Sequence, residues 1–300
     1  RFASDDRTDA LVDDDDDERT RPRARSSSNF VFRAGHDLWT AVDAAVRSSN
    51  AAKLKTIDAL RVKVSKSTDD SSSSSCLDYD PPPPVDAVVD AAALEAYRSA
   101  NDVFLKRAVV EAKLNAAWRH LCLAARENRS LGPTRRTVLH RAALARARMA
   151  QLVAALGAHH FDAVERAWRS LKSQIETAAT DRGGLDDVVD AHRAYLAAVE
   201  SDALFRHDTD DLPALFDRAL DRATAFAALV ETFVQDAIAT LGKDDDDDDH
   251  RYDGGVVVAR LDVAIHDFDA IVAKLRAIFA TSTSEEAVTA HFLATALAAS

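Results

Sequence analysis

The stretch LEAYRSANDVFLKRAVVEAKLNAAWRHLCLAA, residues 94–125, decides the fold class. Apolar side chains recur along it every three or four residues, which is the spacing of one face of an α-helix. That stripe comprises Leu94, Tyr97, Phe104, Leu105, Ala108, Leu114, Trp118, Leu121 and Cys122. A helix with such a stripe has to bury it against other helices, so the stretch predicts a helical bundle.

Three further segments show the same period, and together they predict an all-α fold. Long helices are expected over residues 138–179, 211–241 and 256–280, with stripes that include Trp168, Phe226 and Phe268. Shorter helices are expected over residues 35–48, after the glycines at 183 and 184, and from Ser284 onward. The chain is rich in alanine and contains only eight glycines and seven prolines, which favours long helices. The expected architecture is an elongated bundle of long antiparallel helices.

One short segment departs from the helical period. In IDALRVKVS, residues 57–65, Leu60, Val62 and Val64 alternate with Arg61 and Lys63. This period of two predicts a short strand or hairpin near residues 57–65.

Low-complexity stretches set the domain limits. Residues 1–34 are acidic, then basic and serine-rich, and are expected to be disordered. Residues 35–300 are expected to form a single helical domain, with low-complexity loops at 66–84 and 243–255. Because the chain opens on Arg1 rather than methionine, we expect it to be a piece of a longer protein.

The charge of the chain is concentrated in two acidic runs. The formal net charge is −12, and the runs DDDDDE at 13–18 and DDDDDD at 244–249 contain twelve acids, so the remainder balances to zero. A neutral body without a basic face argues against nucleic acid as a partner, and acidic loops are repelled by anionic membrane surfaces. No apolar run is long enough to span a membrane, and two cysteines favour a reducing compartment such as the cytoplasm.

The stretch GGLDDVVDAHRAYLAAVESDALF, residues 183–205, combines a histidine with several carboxylates. It is therefore a candidate for a metal or acid–base site. Residues three or four positions from His192 are apolar or aromatic, and none is a carboxylate. His192 falls instead on the stripe of Leu185, Val189, Leu196 and Val199, so we predict a buried structural histidine.

Two other histidine groups are candidate metal ligands. His159 and His160 are adjacent and lie about 100° apart around a helix, so they are not expected to share one ion. Asp262, His266 and Asp269 share a helical face and form the best candidate, although the spacing also occurs on solvated aspartate-rich helices. No phosphate-binding loop, dinucleotide-binding or zinc-protease motif is present. We therefore expect no catalytic residues, no metal and no cofactor.

The order of these segments resembles the C-terminal half of the gamma-tubulin complex component family. The similar stretches cover about residues 35–270 and include the strand IDALRVKVS and the helix at 94–118. The others are HDLWTAVDAAVR (36–47), RARMAQLVAALGAHHFDAVERAWRSLKSQI (146–175), LDDVVDAHRAYLAAVESDALF (185–205) and VVVARLDVAIHDF (256–268). Among subtypes the chain is most similar to component 4-like members.

The resemblance implies a scaffold that binds gamma-tubulin and other components of the gamma-tubulin complex and supports microtubule nucleation. It also implies a place in the cytoskeleton, at the microtubule-organising centre of the centrosome or spindle pole. Within the similar segments, the polar residues His36, Asp37, Arg260 and Asp262 are the candidate partner contacts. Two alternatives remain: an unrelated helical-rod tethering subunit, and a metal-dependent all-α enzyme that uses Asp262, His266 and Asp269.

Overall fold

The computed structural model describes residues 60–66, 73–126, 133–180, 183–204, 211–239 and 255–281, with side chains from Tyr79 onward. The described chain begins with strands β1 (Leu60–Lys66) and β2 (Ser73–Tyr79). Five helices follow: α1 (Ala91–Arg126), α2 (Pro133–Thr180), α3 (Leu185–Ala198), α4 (Leu212–Ala239) and α5 (Gly255–Thr281). The all-α fold class is confirmed. The expected helices at 35–48 and after Ser284 lie outside the described residues, as does the segment 1–34.

The strand predicted near residues 57–65 belongs to a two-stranded antiparallel hairpin. Leu60 pairs with Tyr79 at one end of the hairpin and Lys66 pairs with Ser73 at the other. The second strand falls within residues 66–84, which the composition alone assigned to a loop. Backbone pairing with β1 gives this serine-rich stretch a strand conformation that its own side chains do not signal.

The long helices α1 and α2 form an antiparallel hairpin around which the others assemble. Arg146 of α2 donates from Nε to the Leu114 carbonyl at 3.1 Å, and the rings of Phe104 and His160 lie 4.9 Å apart. The earlier residue of α1, Phe104, contacts the later residue of α2, His160, whereas Leu114 contacts Arg146. The two helices therefore run in opposite directions. Ala117 of α1 and Ala145 of α2, close in sequence to these contacts, are buried.

The same comparison gives the direction of the remaining long helices. Arg141 and Arg148 of α2 pair with Asp262 and Asp269 of α5, so α2 and α5 are parallel. Helix α4 is antiparallel to α5, since its Arg222 contacts Asp267 while its earlier residue Phe216 packs on Phe279 further along α5. The bundle therefore has α1 and α4 in one direction and α2 and α5 in the other.

Two hydrophobic clusters divide the bundle along its length. The larger one lies between the C-terminal half of α1, the N-terminal half of α2, and α4 with α5, and Phe226, Phe233 and Leu275 are completely buried there. The smaller one lies at the other end, where α3 packs on α2. Its buried members are mostly small: Ala100, Ala163, Ala167, Val199, Ala203 and Leu204.

Glycines shape the turn between α2 and α3, as the sequence predicts. The Gly183 N–H donates to the Ala178 carbonyl at 2.7 Å, and a Cβ at Gly183 would lie 2.9 Å from that oxygen. The Gly184 N–H donates to the Asp187 carboxylate, also at 2.7 Å. A carboxylate in the first turn satisfies one N–H group that the helix itself leaves unpaired.

Several residues of the predicted stripes are not in the core. Trp118 is 46% exposed, Trp168 is 51% exposed and Leu185 is 57% exposed, so their assignment to buried stripes was wrong. Trp118 instead lies under the Arg146 guanidinium, whose Cζ is 5.4 Å from the centre of the Trp118 ring. Trp168 packs edge-on against Tyr195. Both rings lie at the surface of the bundle.

Candidate functional site

The outward face of α5 is the best candidate for partner contact among the described residues. Val256 and Val263 lie seven residues apart on this face and are 61% and 59% exposed. Arg260 and His266 are exposed beside them. On the opposite side of the helix Leu261, Phe268 and Leu275 are buried in the larger cluster. Apolar side chains and an arginine on one exposed helix face form a candidate surface for another protein, since Arg is enriched at interfaces.

The four predicted contact residues are distributed differently. Arg260 lies on the outward face of α5. Asp262 is turned toward α2, where its carboxylate accepts a hydrogen bond from the Arg141 guanidinium. His36 and Asp37 lie outside the described residues. The sequence missed Val256 and Val263, because exposed valines cannot be told from buried ones until the packing is known.

Two of the three candidate cation ligands Asp262, His266 and Asp269 form ion pairs with arginines of α2. Arg141 pairs with Asp262, and the Arg148 guanidinium pairs with Asp269 at 2.9 Å. His266 is exposed and belongs to the outward face. In the part of the chain that the structure describes, no three His, Cys, Asp or Glu side chains come together as a metal site. The two carboxylates connect α5 to α2.

His192 is buried, as predicted, and it is part of an aromatic cluster. Its Nε2 lies 2.9 Å from the Tyr97 hydroxyl of α1, and the Tyr195 ring lies 6.3 Å away in a stacked orientation. Burial lowers the pKa of His192, although Asp90 and a hydrogen bond with the Val88 backbone act in the other direction. Burial and the nearby Tyr195 raise the pKa of Tyr97 to about 12. The neutral pair fixes the orientation of α3 on α1.

His159 and His160 are also buried, and they face different partners. His159 Nε2 lies 2.8 Å from the Asp202 carbonyl, whereas the His160 ring packs on Phe104. Burial, His159 and Arg107 lower the pKa of His160 to about 3, and burial is the largest cause. Burial also lowers the pKa of His159, partly offset by its bond to Asp202. Both rings are neutral at physiological pH and serve the packing of α2.

A cavity of about 420 Å³ opens between α1, α3 and the π-helical turn Val199–Ala203. Its walls are mainly apolar and include Leu94, Phe104, Val164 and Leu196. The Asn101 side chain also lines it, and its buried amide nitrogen has no hydrogen-bond partner among the described residues. The cavity lies at the end of the molecule opposite the start of α5, and thus away from the exposed valines.

These features define the class of the protein: an all-α bundle of long helices in which His159, His160 and His192 are buried and Asp262 and Asp269 form interhelical ion pairs. None of the described helices is long and apolar enough to cross a membrane. The family model for the gamma tubulin complex component C-terminal region matches residues 8–300. The chain therefore belongs to the gamma-tubulin complex component family, whose members are structural scaffolds of the cytoskeleton associated with microtubule-organising centres. A search of curated proteins finds no match.

Proposed function

We propose that this chain binds gamma-tubulin directly and, as a scaffold without catalytic activity, supports microtubule nucleation. The observation that carries the proposal is the family match over residues 8–300. Direct binding would place one gamma-tubulin on each component, and components side by side would then present a row of gamma-tubulins to the growing microtubule. The site of action would be the centrosome or spindle pole.

The outward face of α5 is the proposed contact surface. It lies within VVVARLDVAIHDF, one of the segments that resembles the family, and it combines Val256 and Val263 with the charge of Arg260. Residues 256–270 of a helix extend over about 21 Å. A stable protein interface buries on the order of 1,600 Å², with 20–30 residues on each side, so this face would supply only a part of it. The predicted contacts His36 and Asp37 are proposed to add to it.

The test is retention of purified gamma-tubulin on the immobilised chain. We expect retention by the natural chain, and a loss of at least about tenfold in affinity for Val263→Asp, because the substitution would bury a charge in the interface. Leu185→Asp is the matched control, since it places the same charge at an equally exposed apolar residue of α3. It should bind like the natural chain.

Two outcomes would count against the proposal at different levels. A folded natural chain that retains no gamma-tubulin excludes direct binding. Equal retention by Val263→Asp and Leu185→Asp leaves direct binding in place and excludes the α5 face as the contact.

A further inference from the structure

The apolar cavity between α1, α3 and the π-helical turn Val199–Ala203 has the size of a small-molecule site. Its volume is about 420 Å³, and small-molecule sites usually occupy about 300–1,000 Å³. Val164 of α2 and Tyr79 of β2 also line it, so the helices and the hairpin form it together. The cavity is therefore a feature of the whole α3 end of the bundle rather than a groove on one helix.

Small side chains and an unusual turn leave this space open. Ala96 and Ala100 line the cavity from α1, four residues apart on one face of the helix. On the wall that follows α3, the Leu204 N–H donates to the Val199 carbonyl at 3.2 Å, five residues earlier, which is the hydrogen bond of a π-helical turn. Such turns are rare and occur frequently at functional sites.

The charges at the cavity favour an uncharged ligand. Its charged lining side chains are Arg98 and Glu200, which have opposite signs. Glu200 is exposed, and the Arg98 guanidinium already lies 3.5 Å from the Glu95 carboxylate. The described lining residues therefore provide no excess charge for an ionic ligand. A charged group that entered the cavity would lose its hydration against apolar walls without compensation.

Asn101 supplies a polar group that the fold itself does not use. Its amide nitrogen is buried and has no hydrogen-bond partner among the described residues. Rotation of this side chain toward the cavity would thus break no hydrogen bond of that nitrogen. A ligand oxygen that accepts from it would satisfy a group that is otherwise buried at a cost in stability.

We propose that this cavity binds a small, uncharged and mainly apolar molecule that has one hydrogen-bond-accepting oxygen. The apolar part of the ligand displaces water from the walls, and the oxygen accepts a hydrogen bond from Asn101 Nδ2. Medium-chain ketones, esters and alcohols have this chemistry, whereas fatty-acid anions do not. The inference concerns the end of the bundle opposite the α5 face, and it does not depend on gamma-tubulin binding.

The experiment measures binding of prodan, an uncharged naphthalene ketone whose fluorescence shifts to the blue when the molecule leaves water. Titration of the whole chain into a fixed low concentration of prodan should give saturable binding, with a dissociation constant on the order of 100 µM or lower. The methyl ketone 2-decanone should displace prodan. Decanoate has the same chain length but is an anion at neutral pH, so it should need at least about tenfold higher concentration.

Two substitutions fill the cavity from different helices. Ala100→Leu enlarges a buried side chain of α1, and Val164→Phe enlarges a half-buried one of α2. Each should weaken prodan binding at least about fivefold, because the added carbons occupy the space of the ligand. Ala125→Leu is the matched control, since Ala125 is exposed elsewhere on α1. It should bind prodan within about twofold of the natural chain, and circular dichroism checks that each variant is folded.

Asn101→Leu tests the hydrogen bond, because leucine has a similar volume and no donor. It should weaken prodan binding about fivefold, as expected for the loss of one hydrogen bond. The proposal is overturned if prodan does not bind the folded natural chain, or if the cavity-filling variants that fold bind it as well as Ala125→Leu does. Equal displacement by 2-decanone and decanoate excludes the preference for an uncharged ligand. Unchanged or tighter binding to Asn101→Leu excludes the role of the amide.

Discussion

Arg148 of α2 and Asp269 of α5 form an ion pair at 2.9 Å, seven residues beyond the equivalent pair of Arg141 and Asp262. Seven residues return a helix to nearly the same face, so the two pairs fix both the parallel direction and the register of the two helices. These pairs also place the N-termini of α2 and α5 at the same end of the bundle. From their spacing in the sequence alone, Asp262 and Asp269 are candidate cation ligands, whereas in the structure they pair with arginines.

The Arg148–Asp269 pair should contribute modestly to stability. Its side chains are 34% and 41% exposed, and such pairs contribute about 0.2–1 kcal/mol. We expect Arg148→Ala and Asp269→Ala each to lower the free energy of unfolding in urea, with a coupling energy of about 0.5 kcal/mol in a double-mutant cycle. An equivalent cycle on Arg169 and Glu165, within α2, provides a comparison that does not involve α5. Coupling of zero for Arg148 and Asp269 would contradict the expected contribution of this pair to stability.

His160 is buried in its neutral form, and we therefore expect the protein to lose stability in acid. Its pKa is about 3 in the folded state, well below the ordinary histidine value of 6.5, so the unfolded chain takes up the proton first. The contribution is fully present above pH 6.5, and the free energy of unfolding falls as pH drops from 6.5 toward 3, by roughly 1 kcal/mol per unit.

Substitution separates His160 from the other acid-sensitive groups. His160→Leu keeps an apolar side chain next to the Phe104 ring and removes the titrating group. Its free energy of unfolding, measured by urea denaturation from pH 7 to pH 4, should fall less steeply than that of the natural chain. Parallel curves for the two chains would mean that His160 is protonated without cost in the folded state.

The hydrogen bond between Tyr97 and His192 should be worth about 1 kcal/mol, as for other bonds between neutral groups. Tyr97→Phe removes the hydroxyl and leaves the ring in place, so we expect the free energy of unfolding to fall by that amount. Tyr195→Phe is the control, since Tyr195 contacts His192 through its ring. A loss for Tyr195→Phe as large as that for Tyr97→Phe would show that the hydrogen bond between Tyr97 and His192 has no special part in holding α3 on α1.

The larger hydrophobic cluster depends on the two phenylalanines of α4. Phe226 and Phe233 are completely buried, and truncation of a buried phenylalanine to alanine costs about 3–5 kcal/mol through lost transfer energy and the cavity left behind. Phe226→Ala should therefore unfold at a markedly lower urea concentration. Phe161→Ala is the matched control because Phe161 is 71% exposed, and it should change the free energy of unfolding by less than about 0.5 kcal/mol.

The sequence predicts the helices well, because the apolar period is long and the glycines at 183 and 184 give clear boundaries. It also predicts the burial of His192 correctly, since the helical neighbours of that residue are apolar or aromatic. It fails for Trp118 and Trp168, which have the right phase for the core but lie at the surface, where they pack on Arg146 and Tyr195 respectively. It also could not show the pairing of Arg141 with Asp262, because residues 121 positions apart meet only through the parallel packing of α2 and α5.

The composition of the smaller cluster has a consequence for how the molecule opens. Alanines such as Ala100, Ala163 and Ala203 let helices approach closely, but each removes little apolar surface from water. Local opening of the end that contains α3 therefore exposes less apolar surface to water than opening of the end built around Phe226 and Phe233. Backbone amides of α3 should exchange with deuterated solvent ahead of those in the middle of α4, as a separate cooperative unit of lower stability.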